Sequence, residues 1–496
     1  MLLSLLKKFV TKSKITFLGR IAVVTSVSIG AVFCGLSQNI DEKYYQLTEQ
    51  YFESLVSSNP VNSAALRQFL TAMPKGGDLH HHYSGAIYTE TYLEWVKKNN
   101  WYIESQKLKI RDSACVSCIT VDSLRSNNQL YMKLLASWSN KDYGNYFDRL
   151  PPDQQFFNTF SYFSPVSAEY MHLGLESLQK RAEKENVSYI ETMLSKVGVT
   201  ADSIPDYQMY DSLLSSAADQ QTVDSILAVI DSVCLTTPHF KETLENFVGR
   251  IDSSQVNIDT NRVRIRYQTY ASRTSSPLQV YIDLLSGFKA ADTSDLIVGV
   301  NIVGPENNFI ALRDYTLHMM FFNYLKRNFP DVKKSLHAGE LTIGMVEPEQ
   351  LVFHMNEAVH IAGAQRIGHG VSLPYEFSSF ELVEKLRNDS IAIEINFTSN
   401  EFILGVKDND HPYRIYSMFN VPMVISTDDP GVSRNNLSDE YLLLVTRYKP
   451  SYEEVKSYVY NSIIYSFLED HEKDYMLRDL DQRFSEFEKM IANIML

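Results

Sequence analysis

The sequence predicts an α/β chain folded as a (β/α)8 barrel of the TIM type, on three observations. Eight short runs with strand character recur in order along the body of the chain. Longer segments with helical spacing of apolar residues separate them. Side chains of the kinds that do chemistry sit at or just past the C-terminal ends of four of these runs, the rim where such barrels build their sites.

A chain of 496 residues is long for one core but suits a barrel with insertions. Hydrophobic residues make up 44%, ample for a packed interior. The net charge is −14, with no basic block in the body of the chain. A polyanion is repelled on average, which argues against nucleic acid and leaves a small neutral ligand open.

At the N-terminus, Lys7, Lys8, Lys12, Lys14 and Arg20 precede the apolar run Ile21 to Leu36, short for a spanning helix and flanked like an export signal. Residues 1–37 are read as a signal peptide or a membrane anchor. The protein is therefore expected to be exported, periplasmic or extracellular, with a membrane tether if the segment is retained. Residues 38–72 form a helical extension. Tyr44, Leu47, Tyr51 and Leu55, then Leu66 and Leu70, recur at helical spacing on either side of Asn59-Pro60. That predicts two helices, packed on the main domain or on a partner chain. Residues 73–496 are the barrel.

The first strand lies in Met73 to Ala86 (MPKGGDLHHHYSGA), where alternation turns His80 and His82 to one face and His81 to the other. The next seven are Val187 to Met193, Arg262 to Tyr270, Leu296 to Val303, Lys334 to His337, Arg366 to His369, Ile391 to Asn396 and Pro422 to Thr427. Helices are expected between them, as over Leu312 to Asn328 and Glu347 to Ala362, and a long helical tail from Tyr452. Long insertions follow strands one and two. The first carries Cys115-Val116-Ser117-Cys118 and the aromatic segment Phe156 to Phe163; the second is an acidic, Ser/Asp-rich stretch around 201–235. Neither shows a strand pattern of its own. Besides that pair the chain has only Cys34 and Cys234, too few for a four-thiolate metal site, so a loop-closing disulfide or a redox pair is the reading for Cys115 and Cys118.

Strand one ends with His80 and His82, strand five with His337 and Glu340 (L-H-A-G-E), strand six with His369 (R-I-G-H-G) and strand eight with Asp428 and Asp429 (S-T-D-D-P). Each alone has an ordinary explanation: a structural histidine, a helix start with an acidic first turn, a turn. Together, at four strand ends of one rim, they are hard to explain by structure alone and argue for a functional site, in which His80 and His82 on one face can grip a divalent metal without completing its ligands.

These motifs, M-P-K…L-H-x-H, H-A-G-E, G-H-G and S-T-D-D-P, with V-G-V-N-I-V-G-P-E at strand four, resemble the adenosine deaminase family of the metal-dependent amidohydrolase superfamily. The resemblance runs from Met73 to about Leu468, less the two insertions. It implies one zinc ion per chain, held by His80, His82, His337 and Asp428, with a water poised to attack C6 of the purine. The reaction implied is hydrolytic deamination of adenosine or 2′-deoxyadenosine to inosine or 2′-deoxyinosine and ammonia. Glu340 would protonate ring N1, His369 would orient the nucleophile, Asp429 would bond purine N7 and the nucleophile, and the Gly304 N–H would meet N3. His81 receives no role, and Asn400 is read as support for the strand-seven loop. A deaminase of a modified adenine nucleoside or of adenine, or a secreted nucleoside-binding or signalling factor on the same fold, are the alternatives.

Two departures matter. Many family members continue the first motif as H-x-H-L-D-G, where the aspartate contacts the sugar; here Ser84 stands in that place and sugar recognition is open. The export segment, the N-terminal helices and the first insertion resemble the secreted, growth-factor-like branch, which implies a homodimer. Zinc deaminases that act on polynucleotide bases carry H-x-E with P-C-x-x-C, whereas Ala114 precedes Cys115 here and no H-x-E accompanies it.

Overall fold

Eight parallel strands form a closed ring in the computed structural model, which describes residues 27–145 and 149–496. In chain order the strands are β1 (Lys75–His82), β2 (Tyr102–Glu104), β3 (Lys109–Arg111), β4 (Cys118–Ile119), β5 (Val187–Ser195), β6 (Arg264–Ser272), β7 (Ile297–Val303), β8 (Ser335–Ala338), β9 (Arg366–His369), β10 (Ala392–Ile395) and β11 (Met423–Ile425). The barrel strands are β1 and β5 to β11, paired in the orders β1-β5-β6-β7 and β8-β9-β10-β11. Two bridges join the halves, Val300 with Lys334 and His81 with Asp428. At the second seam the Asp428 N–H donates to the His80 carbonyl at 2.8 Å, and the His82 N–H donates to the Asp428 carbonyl at 2.9 Å. Closing the barrel thus brings Asp428 to the first-strand histidines.

The seven strands expected after the first lie within two residues of their predicted ends. Three expectations need correction. The first insertion does contain strands: β2 pairs antiparallel with β3 and β4, and a Cys115–Cys118 disulfide closes the loop entering β4. Strands of two or three residues are too short to show alternation. The segment Glu347 to Ala362 is not one helix but a 3-10 turn (Pro348–Leu351), one α-turn (His354–Glu357) and a π-turn (Ala358–Ala362). The tail is two helices, Tyr452–Ile464 and Asp470–Met495. The second insertion is helical, over Tyr207–Ser215, Gln220–Thr236 and Pro238–Gln255.

Helices α1 (Val27–Val56) and α2 (Ser63–Ala72) lie on either side of Asn59-Pro60 as expected. They pack on the chain's own tail, where Phe52 and Phe69 meet Tyr452 and Phe487. The basic flank and the start of the apolar run, up to residue 26, lie outside the described residues. Among the described residues no helix is long and apolar enough to cross a membrane.

The barrel interior is polar along one layer. Buried Arg366 on β9 donates to Glu191 on β5 and, at 2.6 Å, to Glu394 on β10. From Glu191 a chain runs through Gln268 (2.7 Å) to Asn301 (3.1 Å). From Glu394 it runs to Ser335 (2.7 Å) and to His80 Nδ1 (2.6 Å). The Phe467 ring covers the guanidinium at 3.7 Å. Unpaired, these charges would be costly in the interior. Arg366→Met strands two buried carboxylates and should lower stability by about 3–5 kcal/mol. The urea midpoint reads this directly, and an unchanged midpoint would refute the paired arrangement.

Candidate active site

The strand-end residues converge. His82 Nε2 lies 3.2 Å from His337 Nε2 and 3.3 Å from Asp428 Oδ1, and His80 Nε2 lies 3.5 Å from Asp428 Oδ1. Atoms of His80, His337, His369 and Asp428 also lie within 4.8 Å of one another. Asp428 and His369 both hold left-handed backbone, φ 65° and 66°, a strained conformation for non-glycine residues that concentrates at functional sites.

These residues fit a tetrahedral metal. Ligand bonds of about 2.05 Å set neighbouring donors about 3.3 Å apart, the spacing found among these atoms. The buried Nε2 of His80 has no hydrogen-bond partner. The ring nitrogens behind are equally telling. His80 Nδ1 faces the Glu394 carboxylate, and His337 Nδ1 faces Asn301 Oδ1 at 2.9 Å. Asn301 Oδ1 also accepts the Ile302 N–H at 2.8 Å, so it is the amide oxygen. Both histidines donate at Nδ1, which leaves the Nε2 lone pairs free for a cation. Burial and the neighbouring His80 hold His337 well below its usual range, and burial lowers His82 to about 4, so both rings are neutral donors. Burial also opposes charge on His80, but Asp428 and Glu394 outweigh it and raise it to about 10. A cation at Nε2 meets the same field as that proton.

Around this cluster lies a cavity of about 280 Å³ lined by His82, Ser84, Phe156, Phe157, Phe160 and Tyr270 on one side. Gly304, His337, Glu340, His369, Asp428 and Asp429 also line it. Gly304 has φ 102°, a conformation that side chains resist. A larger cleft, about 440 Å³ between Pro74, Arg262 and Arg483, contains none of the strand-end residues.

Glu340 is buried with Oε1 3.6 Å from His369 Nε2. Burial first, then the charges of Asp428 and Glu306, push its carboxyl well above the usual range, so it holds a proton. Asp429 is likewise raised by burial and by Asp428, and its buried Oδ1 has no partner. A Cβ on Gly85 would sit 1.5 Å from that Oδ1, so only glycine leaves Asp429 its place. His81 turns away from the cluster, as alternation predicts, and its Nδ1 meets Thr192 Oγ1 at 2.9 Å. Asn400 does more than brace a loop: its amide reaches His369 Nδ1 at 2.9 Å.

Several supporting residues were not singled out from sequence. Glu306, in the V-G-P-E stretch, accepts the N–H groups of Gly339 (3.1 Å) and Glu340 (2.8 Å) and so anchors the H-A-G-E turn. Asp78 ties the S-T-D-D turn to β1 through the Thr427 hydroxyl (2.6 Å) and N–H (3.1 Å). The signal for both was an acidic residue within or beside a motif. Phe156, Phe157 and Phe160 lie on the inserted helix Pro152–Ser167, and a run of aromatics was their only mark.

A family model described as adenosine deaminase matches residues 264–483. The adenosine deaminase of Clostridium kluyveri is 24% identical over 404 residues, covering 81% of this chain and 92% of its own. The chain belongs to the adenosine deaminase family. Membership makes it a hydrolytic deaminase of that family. Solved structures share the barrel. Arabidopsis ADAL complexed with IMP superposes with a TM-score of 0.55 at 18% identity, covering 85% of this chain and 99% of that one. An amidohydrolase from Burkholderia ambifaria with bound Zn gives 0.52 at 15% identity, covering 86% and 94%.

Glu306 generates a pH prediction. Burial disfavours its charge, but Arg273, His354 and the Gly339 N–H prevail and lower its pKa from 4.5 to about 2. A carboxylate depressed in the folded state stabilises above its unfolded pKa, and that contribution is lost as pH falls from about 4.5 to about 2. It amounts to about 3 kcal/mol. Glu306→Gln should therefore be less stable at neutral pH and show a shallower acid limb across that window in denaturant titrations. Parallel acid limbs would contradict it.

Proposed function

We propose that the protein hydrolyses the 6-amino group of adenosine or 2′-deoxyadenosine, releasing ammonia, with one zinc ion per chain. The observation that carries the choice of a nucleoside is the want of a cation in the cavity. Its lining includes Glu340, Asp428 and Asp429 but, among the described residues, no lysine or arginine. A 5′-phosphate would meet carboxyl groups and aromatic rings with no cation to pair it, so a fold shared with an IMP-bound relative does not carry nucleotide recognition with it.

His80, His82, His337 and Asp428 would hold the zinc. Bound there, it supplies the Lewis acidity that makes water nucleophilic near neutral pH. The remaining work falls to the chain. Glu340, protonated in its buried setting, delivers a proton to N1 as C6 is attacked. Asp429 accepts from the nucleophile and engages N7, and the Gly304 N–H meets N3. His369 orients the nucleophile. Phe156, Phe157, Phe160 and Tyr270 form apolar and aromatic walls that displace water, which sustains the raised pKa of Glu340. Ser84 lies where the sugar would emerge. We also read the chain as exported, since the exposed Cys115–Cys118 disulfide suits an oxidising compartment.

A panel of adenosine, 2′-deoxyadenosine, adenine and AMP, followed by ultraviolet absorbance, tests this reading. The two nucleosides should exceed AMP at least about 100-fold in kcat/KM, a loss of a few kcal/mol for a buried unpaired charge. Equal or better turnover of AMP would overturn it, as would no turnover at all. Glu340→Gln should cut kcat by about 10²–10⁴-fold with zinc content unchanged. Retained activity would remove Glu340 as the acid.

A further inference from the structure

His369 belongs spatially to the cluster of donor atoms, yet the reading above gives it a different task from His80 and His337. The hydrogen bonds behind its ring separate these roles. The chain of bonds begins at a group whose direction is unambiguous. The backbone N–H of Tyr413 lies 3.1 Å from His411 Nδ1, so that nitrogen accepts. His411 is buried, and burial assisted by the charge of Arg447 lowers it to about 3. The ring is neutral, and its single proton sits on Nε2.

That Nε2–H points at Asn400 Oδ1, 3.0 Å away. An Nε2–H requires an acceptor, so the atom facing it is the amide oxygen. The other end of the Asn400 amide is then NH2, which can only donate, and it lies 2.9 Å from His369 Nδ1. The Asn396 side-chain amide also approaches this nitrogen, at 3.5 Å. Turning Asn400 over would set two donors against each other at His411 in a buried site, which costs the full desolvation of the orphaned group. All four residues are buried, so bulk solvent does not compete for these positions.

We infer that Asn400 and His411 are positioning residues that hold His369 in the Nε2–H tautomer, so that it faces the reaction as a hydrogen-bond donor and neither as a metal ligand nor as a base. His80 and His337 donate at Nδ1 to oxygen and present lone pairs at Nε2. His369 accepts at Nδ1 and presents a proton at Nε2, aimed into the space it shares with Glu340 and Asp428. An oxygen attacking C6 would receive that hydrogen bond as it approaches. His369 also holds left-handed backbone, φ 66°, a strained conformation of the kind that gathers at functional sites.

The inference rests on reading the site as a deaminase, and the test separates the two. Asn400→Asp keeps the shape and still accepts from His411, but its second oxygen faces His369 Nδ1 and draws the proton there. Reversal of a buried catalytic histidine's tautomer lowers kcat by up to about 10⁴-fold with geometry intact. Asn400→Asp in the zinc-loaded full chain should lower kcat on the order of 10²–10⁴-fold, with KM for adenosine and zinc content little changed. His411→Gln, which retains a donor toward Asn400, should keep more activity than His411→Leu. Long-range ¹⁵N–¹H spectra of histidine-labelled protein give a readout independent of turnover. The His369 signal, assigned by its loss in His369→Gln, should show an unprotonated Nδ1 in the wild type and a protonated one in Asn400→Asp. A protonated Nδ1 in the wild type overturns the inference, and so does an Asn400→Asp enzyme with kcat within a few-fold of wild type. A wild-type chain inert toward every adenine nucleoside would instead defeat the proposed function, while the spectra would still decide the tautomer.

Discussion

The guanidinium of Arg366 is the constraint from which the site is built. It sits inside the barrel between Glu191 and Glu394, and each carboxylate begins an arm of hydrogen bonds. One arm ends at His80 Nδ1 and the other, through Gln268 and Asn301, at His337 Nδ1. A single buried cation therefore fixes the polarity of two imidazoles on opposite halves of the sheet. Glu394 illustrates how: burial resists its charge, but Arg366 and His80 lower its pKa to about 2, so a full carboxylate stands behind the His80 ring. Hydrogen bonds of this kind orient ligands and raise their basicity. His369 instead hangs from a separate network, Asn400 and His411, of the opposite polarity. What stands behind the ring separates His369 from His80 and His337.

Much of the rim could be read from the chain because chemistry restricts residue types at strand ends, and alternation told His80 and His82 from His81. The seam was less visible. Asp428 reaches His80 and His82 only because the last strand pairs with the first, a contact 346 to 348 residues apart in sequence. Supporting residues such as Arg366, Glu394 and Gln268 escaped notice because a polar residue inside a strand looks like the outward half of an amphipathic alternation. Only closure shows that it points inward. Asn400 was taken as a loop brace for a related reason: its value lies in the direction of its two bonds, which no spacing reveals. The turns over 348–362 kept a helical rhythm while changing pitch, and the short strands β2 to β4 were below the length at which alternation shows.

The barrel itself is common ground: solved structures such as Arabidopsis ADAL complexed with IMP share its fold. Part of the cavity lining comes from Ser84, two residues past β1, and from the aromatic helix Pro152–Ser167 in the first insertion. Insertions on the rim can vary without disturbing the polar layer beneath.

Hydrogen bonds behind the rings set His80 and His337 to face a metal with lone pairs and His369 to face it with a proton. A crystal structure of the zinc-loaded protein, with the ion located by anomalous scattering, tests it most directly. One zinc should be bonded to His80, His82, His337 and Asp428, with His369 Nε2 beyond bonding distance and within hydrogen-bond reach of the remaining ligand. A zinc bonded to His369, or zinc bound away from this cluster, would contradict it.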